Sequence, residues 1–216
     1  MVGVLRPGSC GVNIMVDCAL MESETNIFLV RHGETEWNKQ NRLQGNLDSP
    51  LSRKGIRQAH EAKKSLERYV IDKAYVSPLK RARDTMDIIL EDRELEAVTI
   101  DNLREINLGP WEGKTRAETM QSHPDEYLAF WENPDSFYLP GADTFHALQQ
   151  RVVKALESIF LKEKNKNVIV VSHWIAIKVA ITYYSSIPIS NLSDIADPDN
   201  GSFLLLSRRD KEVFIF

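Results

Sequence analysis

The chain has 216 residues, 43% of them hydrophobic, which is enough for one large domain or two small ones with a substantial core. Its formal net charge of -4 argues against a nucleic acid partner, which would require a basic face. The two cysteines, Cys10 and Cys18, exclude a disulfide framework and fit a reducing compartment, so we expect a cytoplasmic protein.

Residues 1–24 differ from the rest of the chain, because glycines and polar residues interrupt their apolar run. A signal peptide needs an unbroken apolar centre, and a membrane span needs about 20 apolar residues. Neither pattern is present, so we expect no membrane partner and predict a flexible tail. Met21 directly precedes a polar stretch, and the sequence leaves open whether it is the natural start.

A short apolar run at residues 27–30 ends at Arg31 and His32. Four apolar residues bounded by polar ones are typical of a buried parallel strand, and such strands present functional groups at their carboxyl ends. Gly33 allows a sharp turn directly afterwards. The sequence therefore predicts that Arg31 and His32 lie at the edge of a sheet.

Helix and strand patterns alternate through the next part of the chain. Ser52 is a predicted cap for a helix whose apolar positions are Ile56, Ala59, Ala62 and Leu66. Residues 71–76 and 98–100 have strand patterns, and between them Pro78 suits the first turn of another helix. This order predicts an α/β fold with a largely parallel sheet.

The region from 103 to 141 is rich in glycine and proline and is predicted to be an insertion near the site, with its cap-like part at about 106–141. A long helix follows from Thr144 to about Lys162. A second strand pattern at 167–172 ends in His173, and a helix is expected from 175 to 184. Residues 203–206 and 213–216 predict a closing hairpin at an antiparallel edge.

Five residues in these segments suggest phosphoryl transfer: Arg31, His32, Arg81, Glu105 and His173. The guanidinium groups of two arginines match the oxygens of a phosphate monoester dianion. A protonated His173 would add a third positive charge during transfer. Nearby cations favour a neutral His32, whose free ring nitrogen is a nucleophile.

Glu105 is the candidate proton donor to the leaving oxygen, because an alkoxide leaves poorly without a proton. Taken alone, Glu105 is more simply an ordinary surface residue on a loop. Its position within the order of motifs favours the catalytic interpretation. The remaining histidines, His60, His123 and His146, have no matching ligand residues and are interpreted as structural.

Four ordered segments resemble the histidine phosphatase superfamily, which includes the phosphoglycerate mutase-like phosphatases. They are residues 31–35 (RHGET), 77–82 (SPLKRA), 105–113 (EINLGPWEG) and 172–173 (SH). The resemblance covers residues 26–216. It implies a three-layer α/β/α sandwich of the phosphoglycerate mutase type, formed by a single domain over 25–216.

The resemblance also implies a phosphohistidine intermediate on His32, Glu105 as acid and base, and no metal or other cofactor. The implied phosphate pocket contains Arg31, Asn38, Arg81 and His173. We add Gln44 and Gly45, from a polar loop, and Trp174 to the candidate binding residues. Trp174 departs from the family pattern, because the family usually has glycine after the second histidine. The bulky ring is expected to restrict the pocket.

The sequence favours a phosphatase acting on a small phosphorylated metabolite, in a monomer or a dimer. Residues 117–150 contain six acidic and six aromatic residues and no Lys or Arg, so this cap suits a second anion poorly. Uncharged or aromatic esters are then the expected substrates, unless Arg42, Lys114 or Arg116 enters the pocket. A cofactor-dependent phosphoglycerate mutase is the alternative. A second, less favoured alternative is a catalytically inactive relative that binds phosphorylated ligands or proteins.

Overall fold

The computed structural model describes residues 24–210 and 212–216. The predicted tail and the alternative start at Met21 lie outside these residues, apart from Glu24. Glu24 is buried, and its carboxylate accepts hydrogen bonds from the Ser207 hydroxyl at 2.6 Å and from the Arg209 guanidinium. Glu24, which the prediction assigned to the tail, is therefore part of the packed structure.

The described residues form a six-stranded sheet with the strand order β3-β2-β4-β1-β5-β6. The strands are β1 (Thr25–Arg31), β2 (Lys73–Val76), β3 (Ala97–Thr99), β4 (Asn167–Ser172), β5 (Phe203–Arg209) and β6 (Glu212–Ile215). The first four strands pair in parallel, whereas β5 is antiparallel to β1 and β6 to β5. The predicted parallel sheet with an antiparallel edge is confirmed, although β2 begins two residues later than expected.

Helices cover both faces of this sheet. They are α1 (Glu36–Lys39), α2 (Arg53–Leu66), α3 (Lys80–Leu90), α4 (Arg116–Ser122), α5 (Pro124–Glu132), α6 (Phe145–Lys162) and α7 (Trp174–Tyr184). On one face, Phe28 and Val30 of β1 pack with α2 and α3. On the other, Ile27 and Leu29 pack with α6 and α7. Burial on both faces explains the uninterrupted apolar run of β1 and confirms the three layers.

Two local predictions need correction. Ser52 caps α2 as expected, accepting the Gly55 N–H at 3.1 Å, but Ile56 is 42% exposed. The buried stripe instead begins at Gly55 and continues through Ala59, Ala62 and Leu66 at helical spacing. Pro78 lies outside α3, which begins at Lys80.

The segment 106–141 contains α4, α5 and short 3-10 turns, and its aromatic rings pack around Trp111. Trp111 is fully buried, as expected for a core residue, and its ring centre lies 5.4 Å from that of Phe137 and 5.6 Å from that of Phe130.

None of the helices in the described part of the chain has the length and apolar character of a transmembrane helix.

Candidate active site

The two histidines predicted from the strand ends lie side by side. The parallel strands β1 and β4 are neighbours in the sheet, and the residues that follow them are His32 and His173. The His32 N–H donates to the Ser172 carbonyl at 3.1 Å, which aligns the carboxyl ends of the two strands. The ring centres of His32 and His173 are 5.1 Å apart. Both imidazoles therefore lie together at the carboxyl edge of the sheet, where His32 lines a pocket and His173 lies buried behind it.

The environment of His32 selects one tautomer. Its Nδ1 atom lies 2.8 Å from the Gly33 carbonyl oxygen, which can only accept a hydrogen bond, so Nδ1 carries the hydrogen. Burial and the charges of Arg81 and Arg31 lower the pKa of His32 well below its usual value of 6.5. The ring is therefore neutral at physiological pH, and its Nε2 atom has a free lone pair.

A close approach of two backbone segments fixes the turn after His32. A Cβ atom on Gly33 would lie 2.4 Å from the carbonyl oxygen of Gly55 in α2, so only glycine fits there. The Gly33 N–H donates to the Thr85 hydroxyl of α3 at 3.0 Å. Helices on one face of the sheet thus hold the carbonyl that orients the His32 ring.

Arg81 is a buried cation in the first turn of α3, with only 1% of its surface exposed. Its Nη1 donates to the Asp48 carboxylate at 2.9 Å and to the Leu47 carbonyl at 2.8 Å, and its Nη2 donates to the Gly45 carbonyl at 2.7 Å. Asp48 also accepts the Lys80 N–H at 2.8 Å, which caps α3. These contacts fix the guanidinium, while its Nε has no partner within the described residues.

Arg31 is held by a segment that the sequence analysis missed. Its Nη1 donates to the Pro198 carbonyl at 2.7 Å, and the Asn200 amide donates to the His32 carbonyl at 3.0 Å. The Gly201 N–H also donates to the Arg31 carbonyl. The sequence does contain a recognisable polar turn at residues 197–202 (DPDNGS), just before β5. No sequence pattern, however, indicates that this turn contacts the end of β1.

His173 is fully buried, and its Nε2 lies 2.7 Å from the Ser77 hydroxyl. Its Nδ1 has no partner within the described residues. Burial, together with the charges of Arg81 and nearby groups, lowers the pKa of His173 well below 6.5. His173 is therefore neutral in this structure, and its protonation during phosphoryl transfer stays a prediction.

Glu105 lies against the N-terminus of α7. Its Oε1 accepts the N–H groups of Ile106 at 2.9 Å and Ala176 at 3.1 Å, and its Oε2 accepts that of Ile175 at 3.1 Å. Arg151, which the sequence analysis did not select, donates to the Glu105 carbonyl at 2.6 Å and thereby holds the loop. Glu105 lines the same pocket as Arg31, His32 and Arg81, so it is not an ordinary surface residue.

Comparison with known proteins places this arrangement in a family. The model of the histidine phosphatase superfamily (branch 1) matches residues 27–215. The chain belongs to the histidine phosphatase superfamily. The superfamily predicted from the sequence is thus confirmed.

Relatives in this superfamily are named as phosphatases. Phosphoserine phosphatase 1 of Hydrogenobacter thermophilus is 31% identical over 88% of the chain and 89% of the relative. The metal-independent phosphoserine phosphatase of Arabidopsis thaliana is 38% identical over 71% of the chain and 66% of the relative. The solved structure of Bacillus stearothermophilus YhfR is 31% identical, covers 88% of this chain and 95% of its own, and has a TM-score of 0.87. The chain is a phosphatase of this superfamily, as predicted.

The remaining candidates also line the histidine phosphatase pocket, with different contacts. Asn38 uses its Oδ1 to accept the Thr35 N–H at 3.0 Å, and its Nδ2 remains as a donor. The buried Gln44 Oε1 has no partner within the described residues. Gly45 has a φ of +52° and contributes its carbonyl to Arg81. Among the described residues, no three His, Cys, Asp or Glu side chains are grouped to hold a metal ion.

Trp174 and two arginines form the rim of the pocket. The Arg116 guanidinium carbon lies 4.8 Å from the ring centre of Trp131 and 5.8 Å from that of Trp174. Arg42 also lines the pocket. Residues 117–150 contain no Lys or Arg, but Arg42 and Arg116 meet the exception stated in the sequence analysis, because both reach the pocket from outside that stretch. Within the described residues, no carboxylate forms an ion pair with Arg116.

Proposed function

We propose that the chain hydrolyses phosphate monoesters of small metabolites through a phosphohistidine on Nε2 of His32, without a metal. One observation carries this proposal: a neutral His32 has its Nδ1 hydrogen-bonded to Gly33 and its Nε2 free, in a pocket that also contains the buried Arg81 and the half-buried Arg31. A free imidazole nitrogen beside a held phosphoryl group satisfies the requirement for nucleophilic catalysis.

The phosphoryl group is held by donors that are otherwise unpaired among the described residues. The Nε atoms of Arg31 and Arg81 and the Nδ1 atom of His173 are buried and unpaired within the described residues. The Ser77 hydroxyl can donate to His173 Nε2, which leaves the hydrogen on Nδ1. A bound dianion raises the proton affinity of His173, so this imidazole gains charge when the substrate arrives. These groups stabilise the transferring phosphoryl oxygens.

In the first step, the Nε2 lone pair of His32 forms a bond to phosphorus while the ester P–O bond breaks. The bonding electrons remain on the leaving oxygen, which takes a proton from the Glu105 carboxyl group. In the second step, water attacks the phosphorus and gives a proton to Glu105. The P–N bond breaks, its electrons return to His32 Nε2, and inorganic phosphate is released.

Arg116 favours a leaving group that carries a carboxylate. Its guanidinium is stacked near Trp131 and Trp174, and no carboxylate of the described residues pairs with it. A planar guanidinium binds a carboxylate with two parallel hydrogen bonds. Two relatives are named for phosphoserine, which has such a group. We therefore replace uncharged esters with small phosphorylated acids as the proposed substrates of this chain.

A phosphoglycerate mutase is the second candidate, because a mutase must hold a phosphorylated acid. Arg42 and Arg116 both line the pocket and supply the cations that this function needs. The two functions differ in the acceptor of the phosphoryl group. Interconversion of 3-phosphoglycerate and 2-phosphoglycerate that is faster than hydrolysis of the best ester would select the mutase.

The organisation of the chain remains a proposal as well. We propose that residues 25–216 form one domain, with 106–141 as its cap, because the cap rings pack into the cluster that contains Ile27 and Leu29 of β1. We also propose a cytoplasmic location, which rests on the cysteine content.

The test of the proposed function is hydrolysis of p-nitrophenyl phosphate in the presence of EDTA, with three proteins. The wild type is expected to turn over, and His32→Ala is expected to lose at least about a thousandfold in kcat, because no other nucleophile replaces the imidazole. His60→Ala removes an exposed imidazole from α2 and serves as the matched control with wild-type activity. Activity that disappears with EDTA and returns with a divalent metal would contradict the proposal.

A further inference from the structure

A second cavity lies beside the catalytic pocket. Its volume is about 340 Å³, compared with about 100 Å³ for the catalytic pocket. Apolar side chains, including Trp131, Phe145 and Leu192, form much of its lining. The two cavities share Phe130, Trp174 and Ile175 as lining residues, so they adjoin at these residues.

Trp174 is the large side chain at this boundary that also touches charged groups of both cavities. Arg31 lines only the catalytic pocket, and its guanidinium carbon is 5.7 Å from the centre of the Trp174 ring. Lys178 lines only the second cavity, and its Nζ is 5.9 Å from the same ring. The indole therefore occupies the space between the two cavities.

Specific contacts hold the indole in this position. Its N–H donates to Asp197 Oδ1 at 2.9 Å, and the same oxygen accepts from Lys178 Nζ at 2.8 Å. The Trp131 ring lies against it, with 5.6 Å between the ring centres. An indole that is hydrogen-bonded at its edge and packed on a second ring does not leave its position freely.

We propose that Trp174 determines specificity by limiting the size of the leaving group, and that removing its ring joins the second cavity to the catalytic pocket. This inference rests on the proposed phosphatase function. The apolar lining identifies what the enlarged pocket would accept, namely leaving groups with fused aromatic rings. In the wild-type protein, such a leaving group meets the indole and is excluded.

The experiment compares kcat/KM for phenyl phosphate and 1-naphthyl phosphate. Both esters release an aryl oxide, so their chemistry is similar and they differ mainly in size. In Trp174→Ala, the ratio of naphthyl to phenyl activity is expected to rise at least about tenfold, which corresponds to burial of one additional ring. Trp174→Phe retains a ring at the boundary and is expected to keep a ratio near that of the wild type.

Tyr138→Ala is the matched control, because Tyr138 is an exposed aromatic residue of the cap that lines neither cavity. The ratio of 1-naphthyl phosphate to phenyl phosphate activity in Tyr138→Ala should equal that of the wild type. A ratio in Trp174→Ala that stays within about twofold of the wild type, or equal losses for both esters, would overturn the proposal. Failure of the phosphatase proposal is a separate result, because the wild type would then hydrolyse neither ester.

Discussion

Replacing Asp48 tests how the pocket holds its buried arginine. The Asp48 carboxylate accepts from Arg81 Nη1 at 2.9 Å and caps α3 through the Lys80 N–H at 2.8 Å. Loss of a helix cap costs about 1 kcal/mol, and breaking a buried ion pair costs about 3 to 5 kcal/mol. Asp48 is 29% exposed and two carbonyls still bind Arg81, so we expect Asp48→Ala to lower the free energy of unfolding by about 2 to 4 kcal/mol.

The measurement is urea unfolding followed by tryptophan fluorescence. Asp48→Asn separates the two contributions, because the asparagine amide oxygen can still accept the Lys80 N–H but the side chain carries no charge. Asp84→Ala is the matched control, since Asp84 lies within α3 and pairs with the exposed Lys80, and its loss should cost at most about 0.5 kcal/mol. An Asp48→Ala protein as stable as Asp84→Ala would refute the reasoning.

Three further predictions concern protons and positioning. Glu105→Gln should slow hydrolysis of alkyl phosphates at least about tenfold more than that of aryl phosphates, whose leaving oxygen needs no proton; equal losses would remove Glu105 from the acid role. Arg151→Ala should lower kcat for alkyl phosphates with little change in KM, because Arg151 holds the Glu105 loop and does not touch the substrate; a change in KM alone would contradict this role. His32 and His173 both have a folded-state pKa below the unfolded value of about 6.5, so the unfolded chain binds protons first as the pH falls. The free energy of unfolding therefore decreases below about pH 6.5, by about 1.4 kcal/mol per pH unit for each ring. Urea unfolding between pH 6.5 and pH 5 should accordingly show a weaker pH dependence in His173→Gln than in the wild type, and an unchanged slope would show that His173 is not buried as a neutral ring.

The sequence predicted the parts of the site that follow from strand ends. A parallel strand that ends at a given residue presents the next residue at the carboxyl edge, and this rule placed both His32 and His173. The same logic applied to Arg81 at the start of α3. These positions depend on where each strand ends and on the strands being parallel, and the order of elements along the sequence predicts both.

Contacts between distant segments could not be predicted in this way. Asp48 and Pro198 bind the two arginines across 33 and 167 residues of chain, and no periodicity encodes either pairing. Arg116 lies one residue before the stretch 117–150 whose charges were counted, and the sequence left open whether it reaches the pocket, as it does from the first turn of α4. The error at Ile56 had a similar origin, because the buried stripe of α2 starts at Gly55, where a Cβ atom would collide with the backbone of Glu34.

The central claim is that His32 carries the phosphoryl group on Nε2. Rapid quenching with labelled substrate should trap an acid-labile, base-stable phosphoprotein, and mass spectrometry should locate the label on the peptide that contains His32. Phosphorus NMR of that peptide should show the Nε2 isomer, because Nδ1 is hydrogen-bonded to the Gly33 carbonyl at 2.8 Å. A phosphoryl group on Nδ1 of His32, or on any other residue, would contradict the account.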